Sequence, residues 1–143
     1  MFLAFTPNHI KNLDRYGLCY TNLMHYLLHL PKRPWRAIKK GTKKVEGRVF
    51  RHTTPYHEMK AGVTITFINE DNEEKMDIDV LYIRHYPDAR TMLVAEGVEN
   101  VSSYGGTIEE SIERYNSFTH YKENIPKYGI YAIGVKPVRT LFS

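Results

Sequence analysis

Within residues 62–83 two segments place apolar side chains at every second position, and this alternation restricts the fold more than any other feature of the chain. Residues 63–67 (Val-Thr-Ile-Thr-Phe) interleave apolar groups with threonines, the pattern of a strand with one buried face and one wet face. Residues 69–74 form a polar turn. Residues 76–83 then repeat the alternation before becoming apolar on both faces. Pro87-Asp88 marks a further turn, after which residues 91–95 are expected to return as a third strand. Residues 130–135 are compact and apolar enough for a central strand, and a short strand is expected within residues 45–51.

Helix signals flank this sheet. Thr6-Pro7 predicts a helix running to about Tyr16 and stopping at Gly17, with a hydroxyl at the cap and proline in the first turn. A second helix is expected from Thr21 or Asn22 to Leu30, ending before Pro31. On a helical wheel it gathers Leu23, Met24, Tyr26, Leu27, Leu28 and Leu30 on one side and His25 and His29 on the other. Thr107 followed by Glu110 is a capping box that opens a helix to about Phe118. With 143 residues, 42% of them hydrophobic, the chain can bury one core. The expected fold class is α+β: two N-terminal helices, an antiparallel sheet of four to five strands, and one further helix near 107–118 packed on the sheet. It is read as a single domain over 1–143, with an exposed basic segment at 32–51.

That segment is the main functional signal. It holds nine basic side chains against Glu46 alone, a net +8 in a chain whose total is +4. Residues 70–79 oppose it with six carboxylates and a single lysine, so the molecule carries a charge separation that steers anionic partners. Arg33, Arg36, Lys39, Lys40, Lys43, Lys44, Arg48 and Arg51 are expected to contact phosphates, and Trp35 and Phe50 to stack on bases. The chain is therefore read as a small, non-catalytic, cytoplasmic protein that binds a polyanion, most simply nucleic acid. Two rivals remain open: a viral accessory protein docking on an acidic host surface, and a histidine- or metal-dependent phosphodiesterase. One cysteine, Cys19, excludes a disulfide framework. No stretch approaches the length of a membrane span, and no cofactor is expected.

Weaker motifs define alternatives. His25 and His29, one helical turn apart, could share a metal with a third ligand from His52, His57 or His85. His52 and His57 directly follow the basic run and could act as acid and base on a phosphodiester. Pro87-Asp88 and Glu96 follow the order of a two-carboxylate nuclease core, but Val98 stands where that pattern has its lysine. Residues 102–107 lead into the capped helix and could offer free N–H groups to a phosphate, although Glu109, Glu110 and Glu113 would repel it.

Overall fold

The computed structural model describes residues 25–139, preceded by a two-residue antiparallel ladder between β1 (Asn12–Leu13) and β2 (Cys19–Tyr20). The first expected helix falls outside the described residues except at Asn12–Leu13, which form a strand. The second is overturned. β3 (His25–Leu30) is a strand, with Tyr26, Leu28 and Leu30 buried and His25, Leu27 and His29 facing outward. Six residues of mixed apolar and aromatic character satisfy both periods. Partnership with a strand almost forty residues away decides between them.

Five strands form one sheet in the order β3-β5-β6-β7-β4, with β4 at Val45–Arg48, β5 at Thr64–Asn69, β6 at Lys75–Tyr86 and β7 at Ile130–Pro137. All pairings are antiparallel except β3 with β5, which are parallel, so the expectation of a purely antiparallel sheet is corrected. A register shift between Val80 and Tyr82 exchanges the faces of β6. Met76, Ile78 and Val80 point into one core, while Tyr82 and Tyr86 pack into the other. The shift also lays the Tyr82 ring on Gly134, where a Cβ would overlap it. β7 is covered on both faces, with Ile133 and Val135 in the first core and Ile130 and Ala132 in the second, which explains its unbroken apolar sequence.

Helices cover both faces. The basic segment is not exposed throughout, since α1 (Lys32–Lys40) buries Trp35 and Ile38 and packs against β5 and β7. Pro34 sits in the first turn, where its missing N–H costs nothing. Lys39 and Lys40 complement the C-terminal dipole, and Gly41 closes the helix at φ 80°. The expected strand at 91–95 is instead α2 (Ala89–Glu96). Asp88 caps it by accepting from Thr91 N at 2.7 Å, and Ala89, Met92, Leu93 and Glu96 form its buried face. α3 (Val98–Val101), α4 (Ile108–Ser117) and α5 (Tyr121–Tyr128) complete the second layer. The capping box on α4 is as expected, with Thr107 and Glu110 exchanging backbone hydrogen bonds.

Candidate nucleotide-binding cavity

β3 and β4 are the two edges of the sheet, and its curl brings them face to face. Arg48 of β4 spans the gap, with Nη2 donating to the His29 carbonyl at 2.9 Å. A cavity of about 560 Å³ opens along this seam. Its walls come from residues 27–30 of β3, Gly47 and Arg48 of β4, Leu93, Val101, and the Ser111, Arg114 and Tyr115 face of α4.

A chain of charges forms the floor. Lys43, 5% exposed, directs Nζ to the carbonyls of Val45 (2.7 Å) and Val101 and to Glu46 Oε2 at 3.2 Å, so all three of its protons are engaged. Glu46 Oε1 accepts from Arg48 Nε at 3.1 Å, as strand alternation places residues 46 and 48 on one face. Burial alone would lower the Arg48 guanidinium, but Glu46 and Tyr56 outweigh it and hold the group above its ordinary value. Gly47 permits close approach by α4, because a Cβ there would overlap the Tyr115 hydroxyl. Burial, and then the Glu46 carboxylate, pushes the Tyr115 phenol well above its ordinary range, so it remains a donor. Ser111 Oγ is buried against the cavity with no hydrogen-bond partner.

The mouth is cationic and aromatic. Tyr104 lies between two guanidinium groups, Arg33 at 4.3 Å and Arg114 at 4.1 Å from its ring centre. Arg33 Nε also donates to Ser103 O at 3.0 Å, tying α1 to the loop before α4. His29, Arg51 and Glu70 lie along the rim.

Of the residues singled out in the sequence, Arg33, Lys43, Arg48 and Arg51 do not line the cavity equally: Lys43 and Arg48 are in its floor, Arg51 is on its rim, and Arg33 clasps the rim residue Tyr104. Arg36, Lys39, Lys40 and Lys44 are exposed elsewhere, with Lys39 near Glu74 at 3.9 Å. Two expectations are corrected. Trp35 is 3% exposed and donates from Nε1 to Phe67 O at 3.1 Å, so no base can stack on it. The Lys43 ammonium is a buried tie between β4 and α3 with no proton left for a phosphate. His25 and His29 lie on one strand face about 13 Å apart at ~3.3 Å per residue, too far to share an ion. His52 and His57 pack around Phe50, outside the cavity wall. Asp88 caps α2, while Glu96 is buried beneath Tyr82, Tyr86 and Arg84, so the nuclease pattern is dispersed. Ser111, Arg114 and Tyr115 were missed, Glu46 was noted only as the lone acid of the basic run, and Tyr104 only as part of the 102–107 segment, which does border the cavity. The available signal was a lone carboxylate in a basic run, two residues before an arginine on an alternating segment.

A family model described as the ASCH domain matches residues 28–139. Among solved structures, the hypothetical protein PH0355 is 32% identical, with a TM-score of 0.70 over 80% of this chain and 100% of its own. PF0455 from Pyrococcus furiosus is 33% identical, with a TM-score of 0.66 over 82% of this chain and 100% of its own. A mutant form of ZmASCH from Zymomonas mobilis shares the fold at 15% identity, with a TM-score of 0.54 over 80% of this chain and 71% of its own. No curated protein matches the chain.

Proposed function

The chain belongs to the ASCH domain family, whose PUA-like fold is an RNA-binding one, and on that premise we propose that it binds single-stranded RNA. One nucleotide enters the cavity between β3 and β4, and neighbouring phosphates follow the exposed cations of the basic segment. The observation that carries this is a cavity of nucleotide size with a charged floor and guanidinium groups at its mouth. Its ~560 Å³ falls within the roughly 300–1,000 Å³ common to small-ligand sites. A closed pocket receives a base only when that base is unpaired and splayed from its neighbours, which favours single strands over duplex.

Fluorescence anisotropy of a short unstructured RNA, titrated across salt concentrations, tests this. The wild type is expected to bind at low salt and to prefer single strand over duplex. Arg51→Ala and Arg114→Ala are each expected to weaken binding and to reduce the salt slope by roughly 0.7 for each phosphate left without its cation. Absence of binding at low salt, or equal affinity for duplex, would refute it.

A further inference from the structure

The segment after β4 presents two sides. Arg51 and Thr54 pair across a tight turn and line the cavity. Phe50, His52 and His57, on the same segment, lie outside its wall and gather with Tyr128, the last residue of α5. The Phe50 ring centre is 5.2 Å from that of His52, 5.6 Å from His57 and 4.9 Å from Tyr128. β6 and β7 anchor the cluster, since His85 Nε2 donates to the Tyr128 carbonyl at 2.6 Å and the His85 ring packs on Tyr131 at 4.7 Å. Phe50 is half-buried, but Tyr128 is 40% exposed, and His52 and His57 are exposed. A single exposed ring is ordinary, whereas rings gathered at a surface make a platform on which bases stack. Arg51 and Lys127, the chain neighbours of Phe50 and Tyr128, are exposed cations. The Glu58 carboxylate, 3.5 Å from His57 Nε2, disfavours a phosphate beside His57.

We propose that Phe50 and Tyr128, edged by His52, form a stacking platform for the base next to the one in the cavity. Arg51 stands on the cavity rim with Phe50 and His52 on either side of it in the chain. Consecutive Cα atoms are about 3.8 Å apart, so a strand leaving the cavity past Arg51 meets the platform at its next base. Arg51 then serves the phosphate between the two bases. Stacking uses the π face that every base has, so the platform is indifferent to base identity and demands an unpaired strand longer than one nucleotide. This extension rests on the cavity being the nucleotide site.

Two short RNAs decide it, one carrying every base and one in which abasic residues flank a single central nucleotide. Both keep the same phosphates. Tyr128→Leu keeps an apolar side chain against Phe50 and removes the π face. It is expected to weaken binding of the first RNA about tenfold and to leave the second unchanged, while Tyr128→Phe binds both as the wild type does. An unchanged affinity for the first RNA in Tyr128→Leu overturns the platform and leaves RNA binding standing. Equal weakening of both RNAs makes Tyr128 a packing group and also overturns it. If the wild type binds neither RNA, the cavity is not a nucleotide site and both proposals fall.

Discussion

Lys43 sits in the middle of the basic run yet presents none of its charge to solvent. Its ammonium holds the β4 backbone, the end of α3 and Glu46 in one arrangement, and Glu46 in turn fixes Arg48 across the seam. Removing one partner of a buried ion pair strands the other, typically at about 3–5 kcal/mol. Lys43→Met is therefore expected to lose that much in urea denaturation, whereas Lys40→Ala and Lys44→Ala should stay within roughly 0.5 kcal/mol. Equal, small effects from all three would show that Lys43 is no structural tie. Sequence composition could not make this distinction. A lysine in a string of lysines carries no mark of burial, and only the position of Glu46 three residues on hinted at a partner.

At the scale of elements, β5, β6, β7 and the start of α4 were legible because each signal is local. Alternation, a polar turn, a two-sided apolar run and a capping box need no distant partner to be read. β3, α1 and α2 were not. β3 takes its period from parallel pairing with β5, prolines and charges hide the two core positions of α1, and the cap of α2 resembles a turn. α2 is tied to β6 by Glu96, which accepts from Tyr82 at 2.8 Å, Tyr86 at 2.7 Å and Arg84 at 3.2 Å. Burial would raise its carboxyl, but these three donors prevail and hold it below its ordinary 4.5. The unfolded chain thus binds this proton more readily than the folded one. The stabilisation is complete above the ordinary carboxyl range and is lost as pH falls through the depressed folded value. Glu96→Gln is expected to lower the melting temperature at neutral pH and to flatten its decline below about pH 4.5. An unchanged acid limb would remove Glu96 from the account.

For the whole molecule, the curl of the sheet brings two otherwise unrelated edges together and leaves a cavity between them, spanned by Arg48. The charge separation seen in the sequence is partly consumed internally, as Lys32 approaches Asp71 at 3.6 Å and Lys39 approaches Glu74. Under the proposed function the remaining exposed cations carry the phosphates that flank the nucleotide in the cavity. No helix among the described residues is long and apolar enough to cross a membrane. The direct test is backbone amide chemical-shift mapping during titration with a short single-stranded RNA. Perturbations are expected to concentrate at residues 27–30, 46–51, 102–104 and 111–115, the segments that meet at the cavity. Shifts confined to the exposed face of α1, with the seam residues unmoved, would contradict the account.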